Sequence, residues 1–204
     1  MRIGIDIDGV LTDVIRYVCD YGSKYFYEKY GKLNININSW SIKDMFNVTD
    51  AEDKECWLTL VENYAINEPA RPFASTIINK LKNEGNLIYI ITARGTDKLD
   101  DVDGQMNNVI KIWLEHNKIR YDKLIFSKEK LEVCKKYNID IMIEDKTENI
   151  NQISTSLPVI CFHENHNKEL KGKNIYRAYS WYDVYYKYLI IKEALINEKN
   201  KKLS

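Results

Sequence analysis

Arg2-Ile3-Gly4-Ile5-Asp6-Ile7-Asp8-Gly9-Val10-Leu11-Thr12 is the stretch whose reading decides the fold. Residues 3–7 are apolar except near the end, as expected of a short strand buried on both faces. Four later runs share that character, at 86–92, 123–127, 139–144 and 157–162. Between them lie stretches with apolar residues at helical spacing, at 73–84 (stopping at Gly85), 109–116, 130–137 and, more briefly, 147–154. Strands alternating with helices predict βαβ units, and so an α/β fold: a three-layer, Rossmann-like parallel sheet with helices on both faces.

Residues 13–69 break the rhythm, being far longer than an ordinary crossover. They are rich in aromatics and show helical periodicity at 14–30 and 51–64. The expected organisation is a catalytic core of 1–12 and 70–204 with a small helical cap, 13–69, inserted after the first strand. Pro69-Ala70-Arg71-Pro72 is the expected return hinge. Residues 180–197 predict a terminal helix with Ser180 as N-cap, and 198–202 a frayed end.

Composition narrows the function. The 204 residues are 45% hydrophobic and 29% charged, which suits a packed globule. Lys+Arg and Asp+Glu are equal at 30 each, so no strong net field draws the chain to a nucleic acid polymer or an anionic membrane. An anionic substrate must be held by a local site. Cys19, Cys56, Cys134 and Cys161 form no Cys-x-x-Cys or zinc spacing and read as thiols of a reduced, cytoplasmic protein. Acids at Asp6 and Asp8 interrupt what would be a signal-peptide core, and no apolar run approaches a membrane span.

The chemistry lies at the strand ends. In parallel sheets ligands bind beyond the carboxyl ends of strands. There Asp6 and Asp8 would repel each other unless a cation relieves them, and Mg²⁺ suits such hard oxygen ligands. Gly9 lets the backbone turn sharply. On its own the pair also fits a strand capped by exposed acids. Glu144-Asp145 ends the fourth run in the same way; if that strand neighbours the first, Asp145 faces Asp6, and Asn149 could hold a metal-bound water. Helix capping by Thr147 and Glu148 is the bland alternative. Thr92 ends the second run, and the Ala93 and Arg94 amides and the Arg94 side chain are donors suited to phosphate oxygens. Lys128 and Lys130 precede the helix that feeds the fourth strand, and either could neutralise a nucleophile and phosphate.

Together these four features resemble the haloacid dehalogenase-like superfamily of phosphatases, over 1–11 and 69–162. Asp-x-Asp-Gly-Val-Leu, the early insertion, Ile-Thr-Ala-Arg and the late acids are most similar to its 5′(3′)-deoxyribonucleotidase-like branch. The resemblance implies that Asp6 is the nucleophile forming an aspartyl-phosphate and Asp8 the general acid and base. It implies Mg²⁺ ligation by Asp6, the Asp8 carbonyl and Asp145. Phosphate contacts fall to Thr92, Ala93, Arg94 and Lys130, with Lys128 the second choice of lysine. Aspartate at position 8 favours a phosphatase over the pumps of the superfamily, which carry Thr there, and over the dehalogenases, which lack that acid. Two departures bear on metal affinity: Glu144 in place of an aspartate, and Asn149 where many relatives carry an acid.

The expected function is therefore Mg²⁺-dependent phosphomonoester hydrolysis, nucleotidase-like. A sugar-phosphate or other small-metabolite phosphatase is the alternative in the same fold, and a non-catalytic phosphate-binding regulator the alternative of another class. Aromatics of the insert, Phe26, Trp40, Phe46 and Trp57, are candidates to stack a nucleobase, although aromatics at such spacing also build cores. His163 and His166, in a loop without a third ligand, read as solvated.

Overall fold

The computed structural model describes residues 1–96 and 104–203. The five expected strands are present with ends shifted by one or two residues: β1 (Arg2–Ile5), β2 (Leu87–Thr92), β3 (Lys123–Phe126), β4 (Ile141–Glu144) and β5 (Val159–Phe162). A sixth, β6 (Ile175–Ala178), was not expected. It is a short edge strand whose apolar pattern is broken by Arg177, and that arginine turns inward to bond Asn167. All neighbouring strands are parallel, in the order β3-β2-β1-β4-β5-β6.

Both faces of the sheet are covered, so its strands read as nearly continuous apolar runs. Ile3 and Ile5 join Ile88, Ile90, Ile141 and Ile143 on one face. Over them pack α4 (Ala74–Asn83), α5 (Met106–His116) and α8 (Trp181–Leu203). Tyr89, Ile91, Met142, Val159 and Cys161 line the other face, under α6 (Lys130–Tyr137) and α7 (Thr147–Ile153). Gly4 is the β1 residue on that second side, and Met142 Sδ lies 2.6 Å from where a Cβ would stand. The Asp183 amide donates to Ser180 Oγ at 3.3 Å, capping α8, which continues to Leu203 instead of fraying at 198. No helix among the described residues is long and apolar enough to cross a membrane.

β1 stops at Ile5 because the next turn closes on one carbonyl. Ile7 O accepts the amides of Val10, Leu11 and Thr12 at 3.3, 2.8 and 3.1 Å. Asp6 and Asp8 therefore stand on a tight loop beyond the strand.

Between β1 and α4 run α1 (Val14–Tyr30), α2 (Ile42–Phe46) and α3 (Asp50–Asn67). They share their own core of Tyr17, Val18, Phe26, Met45, Phe46, Cys56 and Leu60. The helix α3 has two faces, since its Val61 and Ala65 pack into the sheet-side core. Thr49 and Glu52 form a capping box at its start. The return segment is pinned to the outgoing one: the Arg71 amide donates to Leu11 O at 2.7 Å and the Trp113 indole to Glu68 O at 2.7 Å.

Gly22 of α1 lies against the Phe46 ring, whose carbons would sit 2.7 and 2.9 Å from a Cβ at this position. Gly22→Ala gains helix propensity but overpacks this contact. It should destabilise the protein by about 1–3 kcal/mol, read as a lowered urea midpoint; an unchanged or raised midpoint would show that the α1–α2 contact is loose.

Candidate active site

The strand order reverses at β1, with β2 on one side and β4 on the other, and ligands of such sheets bind at that switch point. The loops after β1, β2 and β4 carry Asp6, Thr92–Arg94 and Glu144–Asp145 to the same place. α6 adds Lys130 from below.

Lys130 Nζ stands 2.6 Å from Asp6 Oδ2 and 2.7 Å from Glu144 Oε2, with all three side chains buried. Lys128, the other candidate lysine, lines the cavity above but is not the one bonded to Asp6. The second Glu144 oxygen accepts the amides of Asp145 at 3.2 Å and Lys146 at 3.0 Å. Both oxygens of Glu144 are thus occupied in holding Lys130 and shaping the loop. Asp6, Glu144 and Asp145 present carboxylate oxygens within 4.8 Å of one another. One lysine cannot balance three buried acids. Burial, then the charge of Glu144, pushes the pKa of Asp6 well above the usual carboxylate range in spite of Lys130. Burial, then Glu144 and Asp6, does the same to Asp145. Excess negative charge and hard oxygen donors fit a divalent cation such as Mg²⁺, with Asp6 and Asp145 the acids left to face it.

Gly9 explains how Asp145 comes so near. Its φ is +79°, and a Cβ there would lie 2.1 Å from Asp145 Oδ2. The glycine thus makes room for an acid of the neighbouring strand as well as for the turn. The Asp145 carbonyl is held in turn by Asn167 Nδ2 at 2.7 Å and His166 Nε2 at 3.2 Å. Asn167 is wholly buried and is itself bonded by Arg177 at 2.8 Å. His166, expected in solvent, is buried beside Asp145, with Nε2 3.6 Å from its carboxylate. The reason lies in β6: its register against β5 folds the intervening loop back over the β4 end. Nothing in the local sequence of 163–167 signals this. At the start of α7 no side chain caps the helix, so Thr147 and Glu148 do not fill the capping role.

Asp8 has a different environment. The Arg94 guanidinium pairs with it, with Nε 3.4 Å from Oδ2, and Tyr64 OH donates to Oδ1 at 2.6 Å. The same guanidinium lies 4.6 Å above the Tyr64 ring. Burial alone would raise the Asp8 pKa, but Arg94 and the Tyr64 hydroxyl outweigh it and hold Asp8 below the ordinary value. Arg94, expected at a phosphate, is therefore engaged with Asp8. Tyr64 comes from α3 and was not foreseen; its contact requires the insert to fold back over β1. Thr92 is fully buried, and its Oγ1 accepts the Arg94 amide at 3.1 Å. Ala93 and Arg94 line the cavity directly.

Above these groups opens a cavity of about 570 Å³. Its floor includes Asp6, Asp8, Lys130 and Asp145, and its roof Val14, Val18, Trp40, Ile42 and Trp57. Asn149 is also on the wall. Of the four aromatic candidates, Trp40 and Trp57 reach it. Phe26 and Phe46 instead pack on each other at 4.9 Å in the core of the insert. Lys146 Nζ lies 4.4 Å over the Trp40 ring, tying the loop before α2 to the end of β4.

Comparison with known proteins agrees with this architecture. The family described as 5′ nucleotidase, deoxy (Pyrimidine), cytosolic type C protein matches residues 1–195. YqfW of Bacillus subtilis (strain 168), provisionally named a nucleotidase, is 30% identical over 188 residues, covering 89% of this chain and 90% of its own. Among solved structures, a HAD-superfamily hydrolase of subfamily IA from Geobacter sulfurreducens PCA superposes with a TM-score of 0.53 at 12% identity, over 90% of this chain and 96% of that one. The D,D-heptose 1,7-bisphosphate phosphatase of B. bronchiseptica, complexed with magnesium and phosphate, gives 0.50 at 9% identity, over 92% and 97%. Both share the fold.

The excess buried charge has a pH signature. A carboxyl whose folded pKa is raised keeps its proton to higher pH in the folded state than in the unfolded one. Stability is then highest on the acid side and falls as pH rises through the folded values. Asp6 and Asp145 act in this direction, and so does Glu164, pushed up to about 7 by burial; His163 and His166, whose pKa values burial lowers, act against it, and the three acids outweigh them. In the presence of a chelator, melting temperature should fall between about pH 5 and pH 8; a rising series would mean that the acids are already balanced.

Proposed function

This chain belongs to the family of cytosolic type C 5′-nucleotidases, with the haloacid dehalogenase-like fold, and is a phosphatase of the nucleotidase kind; on that premise we propose that it hydrolyses nucleoside monophosphates with Mg²⁺ through an aspartyl-phosphate on Asp6. The observation that carries this reading is the Asp6–Lys130–Glu144 cluster beside Asp145, set at the floor of a cavity whose roof is aromatic and apolar.

The roles follow from the chemistry of the groups. An Asp6 oxygen attacks phosphorus and the bond to the leaving oxygen breaks. Lys130 holds Asp6 in position and offsets part of the charge gathering on the phosphoryl oxygens. Asp6, Asp145 and the Asp8 carbonyl would hold Mg²⁺, which would supply the remaining charge neutralisation. Asp8 gives its proton to the departing alkoxide, then accepts one from the water that attacks the phosphoenzyme and frees phosphate. Asp8 is poised as a base while Arg94 and Tyr64 hold it ionised. When the incoming phosphate draws Arg94 away, Asp8 takes up a proton from solvent and so becomes the acid, and Arg94 gains a phosphate contact in the loaded site. The Ala93 amide and the Thr92 hydroxyl complete the donors around phosphate. The residues 13–69 serve as the specificity cap, with Trp40 and Trp57 flanking the base.

A panel of nucleoside monophosphates, sugar phosphates and an aryl phosphate, assayed with Mg²⁺ and with a chelator, tests the substrate class. Mg²⁺-dependent release from nucleotides is expected; release confined to sugar phosphates would keep the mechanism and reject the nucleotidase reading. Asp6→Asn should lower turnover by at least about 10³-fold while the protein stays folded, as read by circular dichroism. Retained activity would exclude the covalent route. Asp145→Ala should sharply raise the Mg²⁺ concentration needed for half-maximal rate, and an unaltered Mg²⁺ titration would remove Asp145 from the metal site.

A further inference from the structure

The cavity has opposite polarity at its two ends. Among the described residues that line it, the lysines and arginine, Arg94, Lys128, Lys130 and Lys146, all come from loops and helices at the sheet. Besides Ser41, whose hydroxyl donates to Asp44 at 2.9 Å, the insert supplies apolar side chains and a single acid, Asp53 of α3. This acid belongs neither to the metal cluster nor to the Asp8 network. Its Oδ2 accepts the Lys43 amide of α2 at 3.2 Å. Its other oxygen takes no hydrogen bond from a described residue, and no described cation pairs with it. The side chain is half-buried, and that burial raises its pKa.

A phosphate dianion is repelled by such a carboxylate, so Asp53 faces a different part of the substrate. When the leaving group fills the apolar roof, the unbonded Asp53 oxygen loses water. That loss is costly unless the substrate returns a hydrogen bond. A site of this kind discriminates strongly against a ligand lacking the donor, because the buried acceptor is then left unpaired.

We propose that Asp53 is a specificity-determining residue, accepting an N–H or O–H donor carried by the leaving group, and that the site thereby selects nucleotides bearing such a donor. This rests on the nucleotidase reading above. The donor can be an amine on the base or a hydroxyl on the sugar.

Two matched pairs separate these sources: adenosine against purine riboside 5′-monophosphate, which differ by the exocyclic amine, and a ribonucleotide against its 2′-deoxy form. For one pair the wild-type kcat/KM should favour the donor-bearing member by roughly tenfold or more. In Asp53→Asn the one amide oxygen stays with the Lys43 N–H and the NH₂ group is turned to the cavity, so α2 keeps its contact. That variant should lose the preference, while its rate on the donor-free member is held or raised. If the amine pair responds, the donor is on the base; if the sugar pair responds, it is the hydroxyl. An equal loss on all substrates, with ratios unchanged, would assign Asp53 a structural role and overturn this inference alone, as would a wild-type enzyme with no preference in either pair. No release by the wild type from any of these nucleotides, with sugar phosphates cleaved, would overturn the nucleotidase reading and this inference with it.

Discussion

Lys130 Nζ, 2.6 Å from Asp6 and 2.7 Å from Glu144, is the contact on which the rest of the site depends. Removing a lysine and two carboxylates from water is costly, and only close pairing with further hydrogen bonds offsets it. The arrangement exists because β1 and β4 are adjacent and parallel, in a register that sets Ile5 beside Ile143. Their carboxyl ends then bring Asp6 and Glu144 together, and the first residue of α6 supplies the cation between them. Glu144 uses both oxygens for this task, one on Lys130 and one on the loop amides. The acids not fully balanced are Asp6 and Asp145, and their excess charge is directed at the cavity.

The loop holding Asp145 is braced from the far edge of the sheet. Arg177 of β6 bonds Asn167, and Asn167 bonds the Asp145 carbonyl. Gly9 accepts the approach from the other side, having no Cβ to obstruct the carboxylate. A residue of the edge strand and a backbone turn after the central strand thus set the position of one side chain. Arg71 joins the same frame to the insert. It bonds Thr12 O at 3.3 Å and Asp13 at 3.1 Å, pairs with Glu164, and lies 4.8 Å from the Phe162 ring. Both chain crossings between insert and core are therefore fastened at one arginine.

Asp6 and Asp8 are two residues apart yet electrostatically distinct. Asp6 shares a lysine with another acid and is held above the usual range. Asp8 is paired with an arginine, accepts from the Tyr64 hydroxyl and is held below it. Pushing paired carboxyls in opposite directions is how neighbouring acids take different roles in catalysis. Tyr64 adds a mechanical link, because the α3 that carries it also packs Val61 and Ala65 into the sheet core and Leu60 into the core of the insert. Movement of the insert would be felt at Asp8.

Local patterns in the chain marked five of the six strands, the long helical segment after β1, and the acids that follow β1 and end β4. Apolar runs of strand length ending in Asp6, Thr92 and Glu144 are legible because burial on both faces leaves little room for polar residues within a strand. The lysine could be narrowed only to Lys128 or Lys130, since helix phase at the start of α6 decides which side chain turns inward. β6 escaped because its Arg177 has the character of a surface residue until Asn167 is placed beneath it. The partners of Asp8 and Asp145 lay beyond reach for a similar reason. Tyr64 stands 56 residues from Asp8 and Asn167 22 from the Asp145 carbonyl. Periodicity identifies a buried face but not what that face meets. Likewise Phe26 and Trp57 look alike as helix aromatics; one fills the core of the insert and the other borders the cavity, a difference set by how α1 and α3 pack. Packing in three dimensions settled these points, because charge pairing, pKa and cavity shape depend on side chains brought together across strands and helices distant in sequence.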